Sequence, residues 1–76
     1  MQGTGDPQLG ARLRELRLQR GMALKVIAKQ AEISIAYLSE VERGRKLPSI
    51  DVLARITDAL ETSVVETLKG LRPYDS

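Results

Sequence analysis

The apolar residues of this chain recur every three or four positions in five short stretches, and this spacing restricts its fold more than any other feature. Residues with helix-ending chemistry separate the stretches; Gly21 and Gly44, which are suited to the left-handed conformation, follow the first and third. The predicted helices occupy residues 7–20, 23–31, 34–43, 50–60 and 63–70. We therefore predict an all-α fold, a compact five-helix bundle with loops of a few residues.

Capping residues mark where these helices begin. Asp6 precedes a proline at a first helical position, so its carboxylate is placed to accept backbone N–H groups of the first turn. Ser34 and Ser49 precede the third and fourth stretches in the same way. Ser63 and Glu66 have the spacing of a capping box, in which each side chain accepts a backbone N–H group near the other residue. The start of each of these helices is thus set by local chemistry.

The composition excludes several functional classes. A chain of 76 residues forms one domain, and the absence of Cys and His excludes disulfides, thiolate or imidazole metal sites and the commonest catalytic side chains. We expect no metal, no cofactor and no enzymatic activity, since no acidic residues lie at a catalytic spacing beside a nucleophile. No apolar run is long enough to span a bilayer and no signal pattern begins the chain. These features predict a cytoplasmic protein that does not bind membranes.

The chain divides into a Gly-rich N-terminal arm at residues 1–6, one domain at residues 7–70 and a C-terminal tail at residues 71–76. The arm has no apolar anchor, so we expect it to be flexible. The predicted core consists of Leu13, Leu16, Met22, Ile27, Ala28, Ala31, Ile33, Leu38, Val41, Leu47, Ile50, Leu53, Ile56, Leu60, Val64 and Leu68.

Charge is distributed unevenly along the chain. The formal net charge is only +2, but residues 9–48 contain nine basic and four acidic residues, a net of +5, and the remainder contains three basic and six acidic residues. Such an asymmetry orients a domain toward phosphate without a large total charge. An ordinary solvated surface is the alternative explanation of the same charges.

The most specific motif lies between the second and third predicted helices and continues into the fourth. Its residues are ISIAYLSEVERG at 33–44, then Pro48-Ser49 and the apolar positions Leu53, Ile56, Ala59 and Leu60. In this pattern the chain resembles the Xre/Cro family of helix-turn-helix repressors, which includes the lambdoid phage repressors. The resemblance covers roughly residues 9–68 and implies a lambda repressor-like bundle whose helix-turn-helix places residues 34–43 in the major groove of DNA.

The resemblance implies which residues face the bases. Many family members have polar residues where this chain has Ile35 and Ala36, so we expect these two to contact thymine methyl groups. Ser39 is suited to bond to various bases, and Glu40 to accept from a cytosine amine. For Ile35 the alternative is simple exposure or packing within the protein, and for Glu40 a surface acid paired with a nearby Arg. The predicted base-reading residues are Ser34, Ile35, Ala36, Ser39 and Glu40.

The resemblance also implies a set of backbone contacts. The second helix would offer its N-terminal amides to a phosphate, although many relatives have Ser or Thr and then Gln where this chain has Ala23 and Leu24. The Tyr37 ring is also suited to packing in the protein, and the basic residues to an ordinary solvated loop. The predicted phosphate-binding residues are Ala23, Leu24, Lys25, Tyr37, Arg43, Arg45 and Lys46.

Family members often have an ion pair that links the first and third helices, and the matching residues here are Arg17 and Glu42. We expect a bidentate pair that fixes how the reading helix projects.

The resemblance implies as partner a pseudo-palindromic operator in double-stranded DNA, bound by a homodimer, so we expect the protein to associate with the nucleoid when it is bound to DNA. The expected activity is transcriptional regulation, as a repressor. The alternative is a protein-interaction module with the same fold, antitoxin-like or coactivator-like, which the apolar reading positions favour. Several apolar residues exceed the needs of the core and suggest a dimer contact, although scattered exposed apolar residues are common. They are Leu24, Val26, Val65, Leu71 and Tyr74.

Overall fold

A computed structural model describes residues 5–71 of the protein. Within this range it contains five α-helices and confirms the predicted all-α bundle. The helices are α1 (Pro7–Gln19), α2 (Leu24–Ala31), α3 (Ile35–Glu42), α4 (Ile50–Ala59) and α5 (Val64–Leu68). The predicted dimer residue Tyr74 and most of the predicted arm and tail lie outside the described residues. None of the helices in residues 5–71 is long and apolar enough to cross a membrane.

The predicted capping residues begin the helices in the structure. The Asp6 carboxylate accepts the backbone N–H groups of the first turn of α1. The hydroxyl oxygens of Ser34, Ser49 and Ser63 each accept the N–H three residues later, at 2.9, 3.2 and 3.0 Å. Helix α2 differs, because its N-cap residue Ala23 has no side-chain acceptor and leaves the first-turn N–H groups without a side-chain cap.

The core lies where α2 packs against α4 and where α1 packs against α3. Its buried apolar residues are Leu9, Leu13, Ile27, Ala28, Ala31, Leu38, Val41, Leu53, Ile56, Ala59 and Leu60. Leu9 and Ala59 were not among the predicted core residues. Five predicted core residues are partly buried against this cluster instead of fully enclosed: Leu16, Met22, Ile33, Val64 and Leu68.

The prediction that Leu47 and Ile50 lie in the core is wrong. Leu47 is 52% exposed and Ile50 is 68% exposed. Along α4 Val52 is only partly buried and full burial begins at Leu53, so the helix starts past the edge of the core. In the loop before α4, Pro48 is buried in place of its neighbour Leu47. Periodicity identified the correct face of α4 but not the point at which its neighbours end.

Two glycines allow backbone segments to approach closely. Gly10 in α1 lies against the end of α3, where a Cβ at this position would meet the carbonyl oxygens of Val41 and Glu42. Gly5 lies against the backbone of Gly44, so the residues just before α1 pass beside the loop that follows α3. The absence of a side chain at Gly10 therefore sets how near α1 lies to α3.

We predict that Gly10→Ala destabilises the protein, although Gly→Ala in an unobstructed helix stabilises by about 0.5–1 kcal/mol. Because the atoms that the new methyl group meets belong to backbone, α1 and α3 must separate, at a cost of about 1–3 kcal/mol in the free energy of unfolding. Urea denaturation measures this change in the free energy of unfolding. The control is Ala11→Gly at the exposed neighbouring position. This variant should also be less stable, because glycine has a lower helix propensity than alanine. A Gly10→Ala protein as stable as the parent contradicts this packing.

Candidate nucleic-acid interface

Helix α3 has one face in the core and one face toward solvent. Leu38, Val41 and Glu42 are buried, whereas Ile35, Ala36 and Arg43 are exposed and Ser39 and Glu40 are half-buried. Residues 36, 39, 40 and 43 are spaced by three or four positions, so they lie on one side of the helix. This side provides a continuous outer surface about two turns long.

A sharp turn connects α2 to α3. Glu32 adopts the left-handed conformation with φ of 60°, and the Ile33 N–H donates to the Ala28 carbonyl oxygen at 2.9 Å. The next residue, Ser34, already caps α3. Three residues thus separate α2 from α3, and with its partly buried side chain Ile33 anchors the turn to the core.

Arg55 in α4 holds this turn from outside the motif. Its Nε donates to the carbonyl oxygen of Ala31, the last residue of α2, at 2.8 Å. The last carbonyls of a helix have no partner within the helix, so this bond satisfies one of them at the point where the turn begins. Sequence reasoning did not identify Arg55, because no local pattern indicates which distant carbonyl a long side chain reaches.

The five predicted base-reading residues lie together on or beside the outer face of α3. Ile35 is 50% exposed at the N-terminal end, and it lines a groove with Val26 and Ile33. Ser34 uses its hydroxyl as the cap of α3, and Glu40 is bonded to Arg43, with 2.6 Å between its Oε2 and the guanidinium Nη2. This predicted reading face, the outer side of α3, therefore combines an apolar end with a charged pair.

Most of the predicted phosphate-binding residues lie in two groups, one at the start of α2 and one at and after the C-terminal end of α3. Ala23 and Lys25 are exposed at the start of α2, and Leu24 between them is half-buried. Arg45 and Lys46 are exposed in the loop after α3. Of the remaining two, Tyr37 is half-buried against the core and Arg43 is held by Glu40.

A groove between α1 and α3 brings in a residue that sequence reasoning missed. Arg14 is exposed on α1 and lines this groove together with Leu18, Leu24, Ser39 and Arg43. Arg14 lies one turn before the buried Arg17, so the two residues share a side of α1, but only the packing of α1 against α3 places Arg14 beside the outer face of α3.

A bidentate ion pair fixes α3 to α1. The Nε and Nη2 of Arg17 donate to the two carboxylate oxygens of Glu42 at 2.8 and 3.0 Å, and Nη1 donates to the Met22 carbonyl at 2.9 Å. The two side chains are only 11% and 6% exposed. The hydrogen bond to Glu42 raises the pKa of Arg17, against the opposing effect of burial, so the guanidinium keeps its charge at any physiological pH.

Comparison with known proteins identifies the motif. A family model described as a helix-turn-helix domain matches residues 8–69. The HTH-type transcriptional regulator DdrOP3 of Deinococcus deserti is 45% identical over 67 residues, which cover 88% of this chain and 52% of that protein. The chain spans about half the length of DdrOP3 and of ClgR of Mycobacterium tuberculosis, two of the curated relatives that it matches.

Solved structures share the fold. The clp gene regulator ClgR of Corynebacterium glutamicum superposes with a TM-score of 0.80 at 44% identity, covering 82% of this chain and 66% of that one. The restriction-modification controller protein C.AhdI of Aeromonas hydrophila has a TM-score of 0.78 at 30% identity, covering 80% and 92%. The resemblance to Xre/Cro-type helix-turn-helix regulators is confirmed.

We predict that Glu42→Ala lowers the free energy of unfolding by about 3–5 kcal/mol, because it leaves the buried Arg17 guanidinium without its anion. Urea denaturation followed by circular dichroism measures the loss. The matched control is Glu15→Ala, which breaks the exposed i,i+3 pair with Arg12 and is expected to cost less than about 1 kcal/mol. Equal stability of the two variants would show that the Arg17–Glu42 pair does not hold α3 in place.

Proposed function

The chain belongs to the helix-turn-helix domain family, and on that premise we propose that it is a sequence-specific DNA-binding regulator of transcription. Helix α3 enters the major groove, whose width of about 12 Å accommodates a helix. The observation that carries the proposal is the division of α3 into a core face and an outer face flanked at both ends by exposed basic residues. Base edges meet the middle of this surface and phosphates meet its ends.

Base reading relies on unusually few polar groups. Ile35 and Ala36 contact thymine methyl groups, since neither has a hydrogen-bonding side chain. Ser39 donates to or accepts from a base edge, and Glu40 accepts from the N4 amine of cytosine. Ser34 lies at the end of the same face, with its hydroxyl shared between the cap of α3 and the DNA.

Phosphate binding involves two strands of the duplex. The uncapped N–H groups at the start of α2 bind one phosphate, beside Ala23, Leu24 and Lys25. Arg43, Arg45 and Lys46 bind the strand at the other end of α3. The Tyr37 hydroxyl and the Arg14 guanidinium supply further contacts.

We further propose that the protein acts as a dimer on a pseudo-palindromic operator. Two reading helices related by a two-fold axis reach half-sites about 34 to 36 Å apart. Val65, which is exposed on α5, supplies apolar surface for the contact between the two copies, and the exposed part of Leu71, at the end of the described residues, adds to it. A dimer bound in this way excludes other proteins from the operator, which makes repression the proposed outcome.

One observation favours a second candidate, a protein-interaction module. Ile35 exposes half of its surface in a groove that also contains Val26 and Ile33, and an apolar groove is suited to a partner's side chain. Pull-down from lysate beside a gel shift with random genomic fragments separates the two candidates. Capture of a protein with no enrichment of any DNA sequence supports the module.

We predict that selection from a random duplex pool yields a palindromic consensus, and that affinity for it falls steeply with salt. Lys46→Ala should reduce the slope of log affinity against log salt by about 0.9, with an equal loss on all sequences, since it removes one phosphate contact. Lys69→Ala removes the same charge from the end of α5 and is expected to leave the slope unchanged. A pool without enrichment, or binding indifferent to salt, contradicts the proposed function.

A further inference from the structure

We propose that the Glu40–Arg43 ion pair is an electrostatic discriminator, which holds Arg43 away from phosphate until Glu40 finds a cytosine amine. The pair thereby makes backbone binding at this end of α3 conditional on base reading. The proposal rests on the proposed function and concerns how the same surface rejects wrong sequences.

The geometry places both charges on the reading face. Oε2 of Glu40 lies 2.6 Å from Nη2 of Arg43, and the two side chains are 29% and 55% exposed. They are one turn apart on the side of α3 that also carries Ala36 and Ser39. Both partners therefore face the space that DNA would occupy, and neither belongs to the core.

On a sequence without a cytosine at this position, no base amine is available to replace Arg43 as the partner of the Glu40 carboxylate. Glu40 then presents a carboxylate to the electronegative groove, while Arg43 keeps part of its charge neutralised. Turning Arg43 toward a phosphate would leave the carboxylate without a cation beside the nucleic acid. With non-specific duplex the protein consequently makes one phosphate contact fewer than its number of basic residues suggests.

On the correct sequence a cytosine replaces the Arg43 guanidinium as the partner of the Glu40 carboxylate. Its N4 amine donates to the Glu40 carboxylate, and this charged acceptor makes a stronger bond than a neutral one. Arg43 is then released to bind the adjacent phosphate. One base contact thus adds a phosphate contact, and the preference for the operator exceeds what the cytosine contact supplies alone.

The pair can be altered without altering the fold. It is partly exposed and joins Glu40 to Arg43, the C-cap residue of the same helix, and i,i+3 pairs of this kind contribute little to folding stability. The protein contains a matched pair with the same i,i+3 spacing, Glu66–Lys69, whose side chains are 62% and 66% exposed on α5. Helix α5 packs against α1 and α4.

The experiment compares Glu40→Gln with Glu66→Gln, since both raise the net charge by one and break one exposed pair. Affinities are measured on non-specific duplex and on the operator obtained by selection. Near 0.1 M salt we expect Glu40→Gln to bind non-specific duplex about five to ten times more tightly, with a salt slope about 0.9 steeper, because Arg43 gains its phosphate. Affinity for the operator should increase less, so that the ratio of operator affinity to non-specific affinity decreases.

Two further readouts identify the mechanism. Repeating the selection with Glu40→Gln should replace cytosine by adenine at one position of each half-site, because an amide pairs with adenine. Adding Arg43→Ala to Glu40→Gln should abolish the gain on non-specific duplex. Circular dichroism confirms that each variant retains its helices.

The outcomes separate this proposal from the one on which it rests. The discriminator is overturned if Glu40→Gln and Glu66→Gln change the affinities equally, or if Glu40→Gln does not raise the affinity for non-specific duplex. Either result leaves operator binding intact. A parent protein that enriches no sequence from the pool overturns the proposed function itself. A gain confined to Glu40→Gln and dependent on Arg43 supports the discriminator.

Discussion

The orientation of α3 depends on the buried contact between Arg17 and Glu42. Most of α3 is held by nondirectional apolar packing, in which a helix of eight residues has few side chains to resist rotation. The bidentate bond, by contrast, has a fixed planar geometry and joins α3 to the far end of α1. Because Arg17 also donates to the Met22 carbonyl, the same guanidinium fixes the chain leading into α2. One side chain thereby orients all three helices around the motif.

The other contacts complete this framework from opposite sides. Gly10 brings α1 against the backbone of α3 at Val41 and Glu42, so the ion pair operates across a short and constant distance. Arg55 binds the last carbonyl of α2 from α4, which keeps the turn closed where Glu32 takes a left-handed conformation. Backbone contacts and charged side chains act together here, because a domain of this size buries too little apolar surface to fix a surface helix by packing alone.

The sequence predicts what local chemistry decides. The caps at Asp6 and Ser34 and the periodicity of α4 follow from rules that operate within one turn, and the structure agrees with them. The prediction that Ile50 lies in the core is wrong because periodicity shows which residues share a face but not where the facing helix ends. The prediction for Leu47 is wrong because in the loop before α4 its neighbour Pro48 is the buried residue. The contact of Arg55 could not be predicted for a related reason, since it depends on the packing of two helices. The i,i+3 spacing made Glu40–Arg43 pairing possible from the start, yet the sequence could not decide between that bond and separate contacts with DNA.

The character of the reading face constrains how selectivity can arise. With Ile35 and Ala36 at its apolar end, hydrogen-bond recognition depends on few side chains, and contact with a methyl group discriminates weakly against other apolar surfaces. Selectivity in such a surface must come partly from a cost imposed on wrong sequences. In the mechanism that we propose, the carboxylate of Glu40 imposes this cost, because a misplaced duplex offers it no base donor in exchange for Arg43. Under that proposal, the charged residue that weakens general attraction to DNA increases the preference for one sequence.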